Sequence, residues 1–178
     1  MHAPLDDKRN MLFAAVDTLA AHLDTKGVAV DMPTGAPFGR VAVSADACTL
    51  CMACTSVCPA RALVAGGDSP KLVFHEVNCV QCGICANACP EGAITLEPRL
   101  NLDIDARRRG VTIHEEAPFL CVQCGKPFAT RSVIERMLGK LRDHPMFATE
   151  RARRRLKMCD DCRVVDVVQD DDAMNPLV

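Results

Sequence analysis

The sequence predicts an α+β fold in which two cysteine-rich loops lie between short antiparallel strands. A frame of four cysteines occurs twice, and short apolar segments stand beside each copy. Helical patterns occur towards both ends of the chain. We therefore expect an N-terminal helix, a central cysteine-rich unit and a C-terminal helical hairpin stapled by a metal. The length, 178 residues, suits one or two small domains.

An amphipathic pattern predicts the first helix over residues 6–23. Asp6 or Asp7 could cap it, since a carboxylate accepts hydrogen bonds from the free N–H groups of a first turn. Its apolar face consists of five residues at helical spacing: Leu12, Ala15, Val16, Leu19 and Leu23. The proline and glycine content of residues 31–39 then predicts a loop, and residues 40–43, "RVAV", alternate as a short strand does.

The next part of the chain is an internal repeat. Its halves span residues 41–65 and 71–96, and each half contains a strand, a cysteine loop and a short apolar segment after a Cys-Pro step. The connecting residues 66–70, "GGDSP", predict a turn. Two similar halves joined by a turn indicate a unit with pseudo-twofold symmetry.

The repeated frame reads C-x-x-C-x-x-C-x-x-x-C-P, at residues 48–59 and again at 79–90. Four thiols within eleven residues cannot all form unstrained disulfides with one another, but they can converge on a metal. Zinc is an alternative, although zinc favours two knuckles over three cysteines plus one in matching frames. The spacing is typical of loops that bind two 4Fe–4S clusters, where the fourth cysteine of each frame ligates the other cluster.

This scheme gives each cluster three cysteines from one frame and one from the other. One cluster is expected on Cys48, Cys51, Cys54 and Cys89, and the other on Cys79, Cys82, Cys85 and Cys58. The frames differ between their cysteines, because Met52 stands where the second frame has Gly83. A side chain there should change the packing and backbone amides beside the cluster sulfurs, so we expect two clusters of unequal potential.

A second metal site is predicted from two C-x-x-C pairs, Cys121 with Cys124 and Cys159 with Cys162. Four thiolates suit tetrahedral zinc, and Phe119, Leu120 and Phe128 could shield it. A single iron or a third iron–sulfur cluster would use the same thiols, and either pair could instead act as a dithiol relay.

The spacer between these pairs carries two helical patterns, over about residues 130–142 and 146–158, which Pro145 separates. Residues 131–157 hold nine Lys and Arg against three Asp and Glu, a local charge of +6. This segment could dock an acidic partner, or it could be a solvated helix paired with the acidic residues near the C-terminus. Nucleic-acid binding is not favoured, since Phe147 is the only aromatic residue there for base stacking.

Residues 40–98 resemble the bacterial-type ferredoxins that carry two 4Fe–4S clusters, because all eight cysteines and both prolines match. The resemblance implies a ferredoxin-like two-cluster unit with electron transfer as its function. Together with "FLCVQCGKPF" and "MCDDC", the frames also resemble iron–sulfur proteins associated with molybdenum- or tungsten-dependent formate dehydrogenases. This second resemblance implies an electron carrier to a larger oxidoreductase, and a chain that could be a short form of a longer polyferredoxin.

The remaining residues offer no apparatus for handling a substrate. No dinucleotide loop, phosphate loop or nucleophile elbow is present, so we expect an electron carrier or an electron-transfer subunit, not a catalyst. The alternative is an iron–sulfur and zinc binding module that acts in maturation or regulation of a partner, including a redox-sensing nucleic-acid binder.

The sequence also predicts the compartment and the division of the chain. No run of eighteen apolar residues occurs, and residues 1–10 lack the features of a secretory signal, so we expect a cytoplasmic protein. The expected divisions are an N-terminal helix and linker (1–39), the two-cluster domain (40–100), the four-cysteine helical segment (101–168) and an acidic tail (169–178).

Overall fold

The computed structural model describes residues 5–67 and 69–170. The helices are α1 (Leu5–Ala20), α2 (Ala53–Ser56), α3 (Ile84–Asn87), α4 (Ile104–Arg108), α5 (Arg131–Lys140), α6 (Glu150–Arg155) and α7 (Asp160–Val168), with 3-10 turns at Glu76–Asn78 and Pro145–Phe147. The strands are β1 (Ala29–Asp31), β2 (Gly39–Val43), β3 (Leu63–Ala65), β4 (Lys71–Phe74), β5 (Ile94–Asn101), β6 (Val111–Glu115), β7 (Pro118–Leu120) and β8 (Pro127–Thr130).

The strands form three small antiparallel sheets, in the orders β1-β5-β2, β3-β4-β6 and β7-β8. The expected mixture of helices and short antiparallel strands is confirmed, and the strand expected over residues 71–74 is β4. The two halves of the repeat interlock, because β2 of the first half pairs with β5 of the second, and β3 pairs with β4. This exchange brings the two cysteine loops together.

A small apolar core lies between these loops and the paired strands. Val41, Leu63, Leu72, Phe74 and Ile94 are buried and alternate with more exposed neighbours along their strands. The same cluster includes the buried thiols Cys54, Cys79 and Cys85. Because the core is small and its members surround cysteines, we expect its stability to depend on what those cysteines bind.

The N-terminal helix spans Leu5–Ala20 rather than the predicted 6–23, and the expected apolar face was wrong except at Val16, which is half-buried. Leu12, Leu19 and Leu23 are exposed by 46%, 81% and 65%, whereas Phe13 and Ala20 are buried. The buried face follows Arg9, Phe13, Asp17 and Ala20, at intervals of about one helical turn. Polar and aromatic contacts with the rest of the protein, rather than the number of apolar residues, decide the orientation of α1.

Arg107 fixes this helix to the two-cluster region. Its side chain is 1% exposed and donates to the Asp17 carboxylate at 2.5 Å and to the Asn101 carbonyl oxygen at 2.7 Å. The guanidinium also lies 4.2 Å from the ring centroid of Phe13, which packs edge-on against Phe38. A buried guanidinium needs such partners, because an unpaired buried charge is strongly destabilising.

The C-terminal segment is more divided than the sequence indicated. The β7–β8 hairpin precedes α5, and both α5 and α6 are shorter than predicted. Thr130 and Thr149 cap their N-termini and so set where these helices begin. Helix α7 was not predicted, and residues 171–178 of the expected acidic tail lie outside the described residues. Within residues 5–67 and 69–170, no helix has the length and apolar character needed to cross a membrane.

Two glycines provide a test of this packing. A Cβ on Gly39 would overlap the Glu97 carbonyl oxygen of β5 and lie 2.6 Å from the Gln81 side chain, so Gly39→Ala must push β5 away from β2 and displace Gln81. We expect a loss of about 1–3 kcal/mol of unfolding free energy, seen as a lower thermal midpoint of the anaerobic protein.

Gly139→Ala is the matched control, since a Cβ there meets nothing within 4 Å and Gly139 lies inside α5. We expect this helix substitution to gain about 0.5–1 kcal/mol. Equal midpoints for the two variants would contradict the close approach at Gly39.

Candidate metal centres

Two cavities separate the eight cysteines of the repeat into the two predicted sets. One cavity is lined by Cys58, Cys79, Cys82 and Cys85, and the other by Cys48, Cys51, Cys54 and Cys89. Apolar residues make up much of the remaining lining of each cavity. Each cavity therefore takes three thiols from one frame and the fourth from the other.

Repeated backbone geometry shapes the two loops. Three pairs of residues 31 positions apart have positive φ: Leu50 (53°) with Gln81 (54°), Met52 (61°) with Gly83 (76°), and Arg61 (50°) with Gly92 (60°). Left-handed backbone is costly for residues with a side chain, by about 1–2 kcal/mol each. The pseudo-twofold symmetry expected from the repeat therefore extends to its strained residues, and the same cysteine wrap is built twice.

Backbone N–H groups face the sulfurs of the exchanged cysteines, Cys58 and Cys89, which are the fourth cysteines of each frame and line the cavity of the other. The Ala62 N–H donates to Cys58 Sγ at 3.2 Å, and the Ala93 N–H donates to Cys89 Sγ at 3.4 Å. These bonds again lie 31 residues apart. Since N–H groups directed at sulfur stabilise the thiolate form, both exchanged cysteines suit metal ligation.

One sulfur contact breaks the symmetry. The Gln81 side-chain amide donates to Cys79 Sγ at 3.3 Å and to the Arg40 carbonyl oxygen at 3.0 Å. The equivalent position in the first frame is Leu50, whose side chain has no donor. The sequence-based expectation of unequal environments rested on Met52 and Gly83, and it missed Gln81, whose side chain is held beside Cys79 by the distant Arg40 carbonyl oxygen.

The thiols inside the cavities are difficult to ionise without a cation. Burial raises the pKa of Cys54 to about 11, and it also raises the pKa of Cys48, Cys79 and Cys85. Since metal ligation requires thiolates, a positively charged group in each cavity would offset this cost. The donor set, four thiols around a largely apolar space, fits a 4Fe–4S cluster.

The four C-terminal cysteines have a different, more compact geometry. Their Sγ atoms all lie within 4.8 Å of one another, and Cys124 Sγ is 3.7 Å from Cys159 Sγ. Thiolates that share one tetrahedral zinc, with bonds of about 2.3 Å, lie about 3.8 Å apart. Within the described part of the chain, the eight cysteines of the repeat form no group this tight. The compact set fits a single ion better than a cluster, in which each thiolate binds a different iron.

Two backbone knuckles hold this compact site. The Gly125 N–H donates to the Cys121 carbonyl oxygen at 2.9 Å, with Gly125 at a φ of 75°, and the Gln123 N–H points to Cys121 Sγ at 3.4 Å. Cys159 is the N-cap of α7, so Cys162 lies in its first turn. A bond from the Val122 N–H to the Lys157 carbonyl oxygen, 3.1 Å long, joins the two knuckles.

The local hydrogen bonds make Cys121 the easiest of these four thiols to ionise. Burial raises the pKa of Cys121, but the N–H groups of Cys124, Cys159 and Gln123 outweigh it and lower the value to about 6. Hydrogen bonding with the Cys124 thiol, followed by burial, raises the pKa of Cys162 to about 12. One thiolate therefore forms readily and suppresses the next, so a metal cation is needed to ionise the set.

The expected shielding of this site is only partly observed. Phe128 packs against Cys121, Met158 and Cys159, and Phe119 contacts Phe128 edge-on, whereas Leu120 is 55% exposed. Met158 and Cys159 are almost fully buried. Met158 is therefore a shielding residue that the sequence analysis missed, although it stands directly before Cys159.

Several arginines of the basic segment, residues 131–157, form ion pairs or hydrogen bonds within the protein. Arg151 and Arg155 form ion pairs with Asp166 and Asp170, residues that follow the four-cysteine site in the chain. Arg153 donates to the carbonyl oxygens of residues 147 and 148, and Arg154 donates to Gln123. These contacts favour the interpretation of a helix paired with nearby acidic residues over a free basic surface.

Paired four-thiol cavities with crossed cysteines define a two-cluster iron–sulfur protein, and sequence comparison agrees with this class. Two family models described as "4Fe-4S dicluster domain" match residues 47–94 and 78–129. The chain belongs to the 4Fe–4S dicluster ferredoxins.

Similar proteins support the membership. Pyruvate synthase subunit PorD from Thermotoga maritima is 36% identical over 77 residues, which cover 43% of this chain and 77% of that protein. Ferredoxin-1 from Caulobacter vibrioides is 32% identical over 97 residues, which cover 53% of this chain and 83% of that protein. The iron–sulfur and ferredoxin expectations are thereby confirmed for the family, while the role of each cysteine stays a prediction.

Metal analysis of the anaerobically purified protein tests both kinds of centre. We expect about eight iron, eight sulfide and one zinc per chain. Cys124→Ser should remove most of the zinc and leave the iron content unchanged, because this cysteine belongs only to the compact site.

Val122→Ser, an exposed neighbour in the same knuckle, is the control and should retain all metals. Iron near about twelve, lost in part with Cys124→Ser, would contradict a single ion at the C-terminal site.

Proposed function

We propose that the chain carries single electrons between a donor and a partner oxidoreductase, as an electron carrier or an electron-transfer subunit. The observation that carries this proposal is the exchange of cysteines between two adjacent cavities. Cys54 on α2 faces one cavity, and Cys58, four residues later, faces the other. Four residues span at most about 14 Å even when fully extended, so groups in the two cavities would lie close together.

The protein's own residues would hold, insulate and connect the two centres. When bound, 4Fe–4S clusters supply one-electron oxidation and reduction. Buried strand residues keep water from the cavities, and the backbone N–H groups of Ala62 and Ala93 face sulfur. Each cavity also has one exposed cysteine, Cys51 or Cys82, which offers a position where an electron could enter or leave.

For the C-terminal cysteines we propose a structural zinc that joins the two knuckles. The spacing of the four Sγ atoms supports a single ion, and zinc on four thiolates is common in structural sites. Iron is the runner-up, since it would use the same thiols. Neither metal at this site is required for the electron relay proposed above.

The partner is proposed to be a large oxidoreductase complex. The similarity to PorD, a pyruvate synthase subunit by name, supports an enzyme of that kind. The C-terminal motifs point instead to a formate dehydrogenase-type complex, as the sequence resemblance implied. The ion pairs of Arg151 and Arg155 with Asp166 argue against the docking of an acidic partner through residues 131–157. The same pairing reduces the case for nucleic-acid binding, and cytoplasmic location stays a prediction.

Reduction and reoxidation of the anaerobic protein test the electron-carrier proposal. We expect both centres to accept an electron from dithionite and to return it to an oxidant over repeated cycles without loss of iron or sulfide. EPR spectra of the reduced protein should show two magnetically coupled centres, because the cavities are adjacent.

A pyruvate synthase and a formate dehydrogenase, each purified without its own ferredoxin, should then be compared as electron donors. Reduction by one of them at the rate of its turnover would identify the class of partner. Irreversible loss of the clusters on first reduction would contradict the carrier function and favour a role in maturation or regulation.

A further inference from the structure

Arg9 on α1 contacts the backbone of Cys79, a residue that lines the cavity of the second frame. Its guanidinium donates to the Cys79 carbonyl oxygen at 2.6 Å, to the Val77 carbonyl oxygen at 2.7 Å and to the Pro37 carbonyl oxygen at 2.9 Å. The rings of Phe13 and Phe38 lie 4.9 Å and 5.2 Å from it. Five contacts therefore fix one positive charge beside a predicted cluster ligand.

This charge is not neutralised by the described side chains around it. Within residues 8–67 and 69–170, no carboxylate forms an ion pair with Arg9, and no residue lining the cavity of Cys58, Cys79, Cys82 and Cys85 is charged. Burial lowers the pKa of Arg9 from its ordinary value, but a guanidinium stays protonated in proteins. The nearby pairs Arg99–Glu76 and Arg107–Asp17 are each neutral overall.

The cavity of the first frame has a different balance of charge, because the arginine beside it, Arg136, has a carboxylate partner. Glu91 lines it and is paired with Arg136 at 2.5 Å, so these two charges offset each other. Glu116, held by the Ser132 hydroxyl at 2.9 Å, adds a further negative charge that acts on Cys48. The pseudo-twofold repeat therefore places similar thiol sets in unlike electrostatic fields.

We propose that Arg9 makes the centre on Cys58, Cys79, Cys82 and Cys85 the higher-potential one of the two. This inference rests on the electron-carrier function proposed above. One electron taken from the donor adds one negative charge to the centre that receives it. A fixed cation nearby stabilises that charge, and the Glu116 carboxylate beside the other cavity opposes it. An electron on the reduced protein then resides mainly at the second frame, whose exposed cysteine is Cys82.

An EPR-monitored redox titration of the full, cluster-loaded protein tests the proposal. Cys51→Ser and Cys82→Ser alter exposed cysteines at equivalent positions, so each should change the signal of one centre and assign it. The variants to titrate are Arg9→Gln, Arg9→Lys, Glu91→Gln and the control Lys8→Gln, an exposed cation one residue away on α1.

Arg9→Gln should lower the midpoint potential of the Cys82 centre by about 59 mV, a tenfold change in its ratio of oxidised to reduced protein, and leave the Cys51 centre unchanged. Arg9→Lys should keep the potential of the Cys82 centre close to that of the unaltered protein, because lysine retains the positive charge. Lys8→Gln should change neither potential. Glu91→Gln does not touch α1, and it should raise the potential of the Cys51 centre alone.

The proposal is overturned if Arg9→Gln shifts neither centre, shifts both equally, or shifts no more than Lys8→Gln. A lower potential for the Cys82 centre than for the Cys51 centre in the unaltered protein would also overturn it. These outcomes leave the electron-carrier function intact, whereas the absence of two reversible centres in the unaltered protein would remove the basis of both proposals.

Discussion

The convergence of thiols from two distant loops is the constraint on which the rest of the fold depends. Each cavity needs three cysteines from one frame and a fourth from the other, so neither half of the repeat can complete a site alone. The strand exchange that pairs β2 with β5 satisfies this requirement, and so do the residues with left-handed backbone, which recur 31 positions apart. Strain at Leu50, Met52 and Arg61 is tolerated because metal binding and folding are one event in such a unit.

Symmetry in the backbone does not extend to the charges. Gln81 and Arg9 supply N–H groups and a cation to the second frame, while Glu91 and Glu116 lie near the first. Arg9 comes from α1, and Glu91 and Glu116 also lie outside the cysteine frames, whereas Gln81 lies within the second frame. Duplication of a cysteine frame therefore builds two similar sites, and the added segments make them different. The N-terminal helix is a functional part of the second centre on this view, because its position sets the position of Arg9.

The C-terminal segment combines a compact thiol site with ion pairs that hold its helices. Arg151 and Arg155 bind Asp166 and Asp170 on the far side of the second knuckle, so charge pairing holds α6 against α7, while the four cysteines join this knuckle to the first. An isolated surface ion pair contributes little, but a network of four charges restricts the movement of α6 relative to α7 more than once. This segment extends the family's two-cluster unit, and its sulfur spacing separates it chemically from the two larger cavities.

Cysteine spacing alone predicted the two-cluster unit, the exchange of the fourth cysteines between the frames and the compact second site. Local spacing suffices there because the cysteines of each frame lie within one short loop. The tertiary structure decided the buried face of α1, the pairing of the arginines of α6 and the contacts of Gln81, Arg9 and Met158. Each of these depends on residues far apart in the chain, or on a polar contact that outweighs apolar patterning. Leu12 and Leu19 were expected to form the buried stripe of α1, yet both are exposed. Arg9, Phe13 and Asp17 face the protein instead, because Arg9 binds backbone carbonyl oxygens and both Phe13 and Asp17 contact the guanidinium of Arg107.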